Sequence, residues 1–279
     1  MTMCVIWKDH DAIHAATDSR LNFTPNQNFD YCVKVSNLKC QLLKSEDESD
    51  YEADNEIFKM VDLTIVFCGG ISCSYTIKES LNEILNKIVC SEPHNVTFES
   101  IVDVAFTVYR EVTSEILKVL MNEIYGCIFY IIGLCPKNNK MKCYKLYFNK
   151  NTRGDGFDYI KEEMFTHEDY EISGSGLKYL ERSNNINNII KKYQDDFGAN
   201  FLLHMLSDVI NDSACSSVGG AIQYASCKNR GTTYWCTHTF DGETLKIMRA
   251  GVDLNELNMY IRQKGMFIEI SSTSGMSAL

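Results

Sequence analysis

The chain opens Met1-Thr2-Met3-Cys4-Val5-Ile6-Trp7-Lys8-Asp9-His10-Asp11-Ala12-Ile13-His14-Ala15-Ala16-Thr17-Asp18-Ser19-Arg20 and, after residues 21–30, reaches Tyr31-Cys32-Val33-Lys34-Val35. Trimming of Met1 is expected, because the next side chain is small, and it leaves Thr2 as the mature N-terminus. A Thr hydroxyl is a poor nucleophile, but an α-amine with a pKa of roughly 8 on the same residue can take its proton near neutral pH. Residues 2–7 read as a buried strand, residues 8–11 as a polar turn and residues 12–17 as the returning strand, a hairpin that closes beside Thr2. Asp18 follows Thr2 by sixteen residues, and Lys34 follows Asp18 by sixteen. An ammonium beside Thr2 would acidify the hydroxyl, and a carboxylate would keep that ammonium charged and oriented.

In these features the chain resembles the N-terminal-nucleophile hydrolases, in their proteasome β-type and bacterial proteasome-like (ancestral proteasome homologue) branch. Thr2, Asp18, Arg20 and Lys34 match that family's N-terminal Thr, Asp-x-Arg element and Lys without a gap. Val61-Asp62-Leu63-Thr64-Ile65-Val66-Phe67-Cys68-Gly69-Gly70 resembles its strand ending in an oxyanion-hole glycine, here Gly69. Glu171-Ile172-Ser173-Gly174-Ser175-Gly176 resembles its Gly-Ser-Gly turn, whose serine, here Ser175, bonds near the nucleophile. Each motif is weak alone and gains from the common order. The resemblance implies a four-layer αββα sandwich of class α+β, two antiparallel sheets flanked by helices. It also implies a pocket lined by Leu21, Cys32, Phe67, Ile71 and Tyr75, with cleavage after apolar residues. The family places an Asp and a Ser before its second Gly-Gly. Here Cys215 and Val218 stand near Gly219-Gly220, leaving Asp212 or Ser217 as the candidates to serve there.

Length and composition, at 45% hydrophobic, allow one large domain or two small ones, and a single domain over residues 1–279 is expected. A net charge of −10 argues against nucleic acid and anionic membranes as partners. No apolar run reaches the roughly 18 residues of a membrane span, and the start does not read as a signal peptide, so a cytoplasmic location is expected. The twelve cysteines are scattered, Cys68 and Cys73 being the nearest pair at five apart, which fits buried reduced thiols rather than a metal site. No metal or other cofactor is expected.

Seven acidic residues within 45–56 read as a solvated loop insertion, with a docking surface for a basic partner as the alternative. Residues 21–30 read as a loop and residues 33–43 as a strand edge. Amphipathic helices are expected over 74–89 and 98–121, strands over 125–134 and 142–149, and irregular chain over 151–170. Helices are expected again from 177 to 190 and from 201 to 210, then strands over 221–227, 232–240 and 245–249.

These readings lead to a threonine peptidase that cleaves peptides or unfolded protein through an acyl-enzyme, in a homo-oligomeric ring or spiral. The alternatives are a non-catalytic ring subunit or binding module, and an amidohydrolase acting on a small amide. Plainer readings of the parts also stand: Thr2 as a strand residue if Met1 is retained, Lys34 as a surface lysine, Gly69-Gly70 as a strand end, Gly174-Ser175-Gly176 as a loop.

Overall fold

The structure is a computed structural model. It describes residues 2–24, 27–44, 56–119, 126–152, 156–167, 169–182, 186–241, 244–250, 252–268 and 270. Its strands and helices, in chain order, are β1 (Met3–Asp9), β2 (Ala12–Thr17), β3 (Leu21–Thr24), β4 (Gln27–Phe29), β5 (Val35–Lys44), β6 (Glu56–Gly69), α1 (Ile71–Leu85), β7 (Ile88–Cys90) and α2 (Phe98–Val119). There follow β8 (Cys127–Leu134), β9 (Met141–Lys150), β10 (Phe157–Glu163), β11 (Tyr170–Gly174), α3 (Ser175–Glu181), α4 (Ile186–Phe197) and α5 (Phe201–Asn211). The last are β12 (Gln223–Lys228), β13 (Gly231–Trp235), β14 (Thr237–Asp241), β15 (Thr244–Arg249), β16 (Val252–Asp253) and α6 (Leu254–Arg262).

Two sheets dominate, one in the order β11-β1-β2-β12-β13 and one in the order β10-β9-β8-β6-β5-β7. Alternate residues of a strand face opposite sides of its sheet, and here both sides are apolar. Met3, Val5 and Trp7 of β1 pack with Leu180 of α3 and with Leu202, Met205 and Leu206 of α5. Cys4 and Ile6 of the same strand instead meet Val66 and Cys68 of β6, Tyr130 and Ile132 of β8 and Cys143 of β9. On the far side of the second sheet, Leu63, Ile65 and Phe67 of β6 pack under Ile77 and Leu81 of α1 and Val102 and Tyr109 of α2. Three apolar layers therefore separate four layers of structure, helices, sheet, sheet and helices, the αββα sandwich expected.

Several local expectations are corrected. Residues 21–24 and 27–29 form the β3–β4 hairpin rather than a loop. Residues 33–34 are not strand, and β5 begins only at Val35: Val33 N bonds the Tyr75 hydroxyl and Lys34 N bonds Gln223 Oε1 in place of a strand partner. The second sheet is not wholly antiparallel: the three-residue β7 pairs parallel to β5, where a continuing first helix was expected. Residues 157–163, expected to be irregular, are the edge strand β10, whose Phe157 and Tyr159 pack on the apolar cluster under α2. The single strand expected over 232–240 divides into β13 of the first sheet and β14 of a separate three-stranded sheet with β15 and β16. Of the acidic insertion, residues 45–55 lie outside the described residues, and Glu56 opens β6 opposite Lys44. Among the described residues no helix is long and apolar enough to cross a membrane, and no cluster of His, Cys, Asp and Glu is arranged to hold a metal.

Candidate active site

Thr2 immediately precedes the central pair of strands β1 and β2, and its surroundings come from four separated segments. The first is the end of β2, where Cys4 pairs with Thr17 and the chain then turns inward at Asp18. Asp18 is fully buried. Its Oδ1 accepts from Met3 N and from Lys34 Nζ, each at 3.0 Å. Its Oδ2 accepts from Arg20 N at 3.1 Å and Gly219 N at 3.2 Å. Thr17 Oγ1 adds a longer contact to Oδ1 at 3.5 Å, so both carboxylate oxygens are held by donors.

The second segment carries Lys34, 1% exposed, whose ammonium also donates to the Arg20 carbonyl at 2.7 Å. A buried cation is tolerated only when paired and hydrogen-bonded, and Lys34 is both. It shares Asp18 Oδ1 with Met3 N, the backbone nitrogen next to Thr2. The bend that turns it inward is held by Gln223, whose Oε1 accepts from Lys34 N at 2.9 Å and Val35 N at 3.1 Å while its amide donates to the Cys32 carbonyl. Gln223 was not read from the sequence. Its only signal is an amide starting a buried strand.

The third segment is the corner between β11 and α3. Thr2 N donates to Ser175 Oγ at 3.0 Å. Ser175 N donates to the Thr2 carbonyl at 2.7 Å. Gly174 has φ +91°, and a Cβ there would lie 2.1 Å from the Thr2 carbonyl oxygen, so the corner closes on Thr2 only with glycine. The fourth segment, residues 215–219, brings Ser217, whose hydroxyl donates to Ser175 Oγ at 3.0 Å. Asp212 is directed elsewhere, to Tyr179 and to Ala214 N. Cys215 is buried, which pushes its thiol pKa up.

Arg20 contributes its backbone to Asp18 and Lys34 but turns its side chain away. The guanidinium forks onto Asp30 at 2.7 and 2.9 Å, a pair that raises its pKa further, and reaches the carbonyls of Ser216 and Val218. It clamps two loops rather than touching Thr2's partners directly. Gly69 ends β6 at φ +121°, where a Cβ would sit 1.8 Å from the Gly126 carbonyl oxygen, while Gly70 N is already bonded to that oxygen at 3.2 Å. Neighbouring Cys68 bonds Ser173 at 3.4 Å, which draws the end of β6 to the β11–α3 corner.

The five residues expected to line a pocket share one apolar cluster, Cys32 and Phe67 buried and Leu21, Ile71 and Tyr75 partly so. Tyr75 is its keystone: its hydroxyl meets Cys32 Sγ at 3.3 Å and accepts from Val33 N at 3.2 Å, and its ring stands edge-on to Phe67 at 5.7 Å. Burial pushes the phenol pKa up to about 12, so it stays a neutral hydroxyl.

No protein-family model and no curated protein matches the chain. Among solved structures, the Anbu (Gly-1) mutant from Hyphomicrobium sp. strain MC1 superposes with a TM-score of 0.51 at 15% identity, covering 98% of this chain and 100% of its own. Anbu from Yersinia bercovieri, described as an ancestral beta-subunit, gives 0.50 at 14%, covering 83% and 86%. A helical assembly of the Anbu complex from Pseudomonas aeruginosa gives 0.51 at 14%, covering 94% and 92%. The chain therefore shares its overall fold, across nearly its whole length, with the Anbu proteins.

Proposed function

We propose that this chain is a proteasome-like N-terminal threonine hydrolase that cleaves peptides or unfolded protein. The reading rests above all on the buried Lys34–Asp18 pair, which shares an oxygen with the backbone next to Thr2. Trimming Met1 frees the Thr2 amine. The amine takes the hydroxyl proton as Thr2 Oγ1 bonds to the scissile carbonyl carbon, and the carbonyl π electrons move to oxygen. Lys34 eases loss of that proton by its positive charge, and Asp18 holds Lys34 in place. Gly69 N–H is the oxyanion donor, a contact whose loss costs about two to three powers of ten in rate. On collapse the Thr2 ammonium gives its proton to the leaving nitrogen, which departs as the amine product; the freed amine then takes a proton from the water that hydrolyses the ester and returns it to Thr2 Oγ1. The apolar group around Cys32, Phe67 and Tyr75 favours an apolar residue before the cleaved bond. Assembly into a homo-oligomeric ring or spiral is part of the proposal, in keeping with the helical assembly described for the Pseudomonas protein, and so is one domain spanning residues 1–279.

The Cys215 and Val218 segment favours a second reading, a ring subunit that does not catalyse. One experiment decides between them. Intact-mass analysis should show loss of Met1, and a peptide vinyl sulfone should add once, at Thr2. Thr2→Ala should abolish labelling and peptide turnover while leaving the melting temperature unchanged. Retained turnover in Thr2→Ala, or a purified protein that keeps Met1, refutes the catalytic reading.

A further inference from the structure

The hydroxyl of Ser175 has one hydrogen and two acceptor positions. All three are used: the hydrogen points to the Thr2 carbonyl at 3.3 Å, and the acceptor positions receive Thr2 N and Ser217 Oγ, each at 3.0 Å. The carboxylate nearest in sequence, Asp212, is occupied by Tyr179 and Ala214. Asp18, which does reach the segment, takes Gly219 N rather than a hydroxyl. The group facing the Thr2 nitrogen is therefore a chain of two neutral hydroxyls, whose outer member Ser217 has Cys215 Sγ 3.9 Å away.

We propose that Ser217 is a positioning residue that fixes the polarity of this chain, holding Ser175 as an acceptor toward the Thr2 amine. The inference rests on the threonine-hydrolase reading above. An amine acting as base needs its lone pair aimed at its own side-chain hydroxyl. With Ser217 donating, Ser175 offers a lone pair to an amine N–H, and the nitrogen lone pair stays available. The same arrangement accepts a hydrogen bond from the ammonium once the proton has moved. Without Ser217 one acceptor position of Ser175 empties, and its O–H is free to swing onto the amine nitrogen. That swing occupies the lone pair and stabilises the neutral amine, which lowers the amine pKa as it slows proton transfer.

The loop is built to hold Ser217 there. Val218 N donates to the Cys215 carbonyl at 3.1 Å, Ser19 N donates to the Gly219 carbonyl at 3.2 Å, and Arg20 reaches the carbonyls on either side of Ser217. One short segment thereby orients both the carboxylate of the Lys34 pair and the hydroxyl chain of the amine.

The test compares Ser217→Ala and Ser217→Thr with wild type in the full-length, Met1-trimmed protein, using a fluorogenic peptide with an apolar residue before the cleaved bond. A positioned base contributes about 10²–10⁴-fold in rate, and misdirecting it without removing it should cost about tenfold in kcat. Ser217→Ala should show that loss at constant KM, with the acidic limb of kcat/KM moved to lower pH. Ser217→Thr, which keeps the hydroxyl, should restore both. Equal kcat and an unmoved limb in Ser217→Ala overturn the relay, as does an equal loss in Ser217→Thr. A wild-type protein with a free Thr2 that neither turns over peptide nor takes the vinyl sulfone overturns the hydrolase reading itself, and the relay with it.

Discussion

Asp18 gathers more of the site than any other side chain, and its replacement separates structure from catalysis. An Asn in its place keeps one acceptor for Met3 N and Lys34 but turns an amide N–H₂ toward the N–H groups of Arg20 and Gly219, where an acceptor is needed. It also leaves the Lys34 ammonium buried without a counter-charge. Breaking a buried pair this way costs about 3–5 kcal/mol, whereas replacing both partners by neutral groups is often close to neutral. Urea unfolding should show that loss for Asp18→Asn and substantial recovery in Asp18→Asn/Lys34→Met, while peptide turnover stays absent in both. Recovery of turnover in the double variant would remove Lys34 from the proposed mechanism. At this scale the sequence was informative through the family resemblance, which singled out Asp18 and Lys34: the two side chains pair, and Asp18 bonds the nitrogen next to Thr2. Gln223 was not legible because it bonds backbone about 190 residues distant in the chain, and no local pattern marks such a partner; Ser217 could be named only as one of two candidates, and its bond to Ser175 separates it from Asp212. Arg20 shows the opposite limit: its backbone serves the site, while its side chain goes to Asp30.

The hairpin β1–β2 and its neighbour β12 carry a titratable group outside the site. His14 lies between Trp7 and Tyr224, its ring stacked on Trp7 at 4.9 Å. Tyr224 O–H meets Nδ1 at 2.7 Å and Asp9 Oδ2 meets Nε2 at 3.0 Å, so the neutral ring donates to Asp9 and accepts from the phenol. Burial lowers its pKa below 6.5; Asp9 opposes that shift and Lys228 adds to it. The unfolded chain therefore binds a proton below pH 6.5 that the folded chain does not yet accept, so stability falls as pH drops from 6.5 to the folded pKa and levels off beneath it. Unfolding free energies at pH 7.5 and pH 5 should show this decline in wild type and a smaller one in His14→Gln. An equal decline in both would mean that the ring titrates in the fold as it does in water. Elements were legible where an apolar pattern ran long, as in α1, α2 and β8, and β6 through the family resemblance. The misreadings fall on short or edge pieces such as β3, β4, β7 and β10, whose residues are paired by neighbours rather than by their own pattern.

Across the whole molecule, the layer between the sheets is lined with small thiols, and this makes the packing of the two sheets measurable. Cys4, Cys68, Cys143 and Cys227 are each at most 1% exposed and lie among Ile6, Ile13, Val66, Tyr130 and Ile132. Their burial between the sheets pushes all four pKa values up, leaving little of the reactive thiolate even at mildly alkaline pH. All twelve cysteines are free thiols, and Cys90 alone is not buried. A scattered set of cysteines could be read in sequence as core, but not which layer each fills, since that depends on which face of a strand meets the other sheet. Under native conditions an alkylating reagent should modify Cys90 first. The four inter-sheet thiols have no route to solvent while the sheets stay packed, so they should react only on global opening. Pulsed alkylation across a urea series, read by peptide mass spectrometry, should place their modification on the same transition as the loss of far-UV circular dichroism. Modification of those four at urea concentrations well below that transition would mean that the sheets part before the helices and strands melt, and the sandwich would then unfold in more than one step.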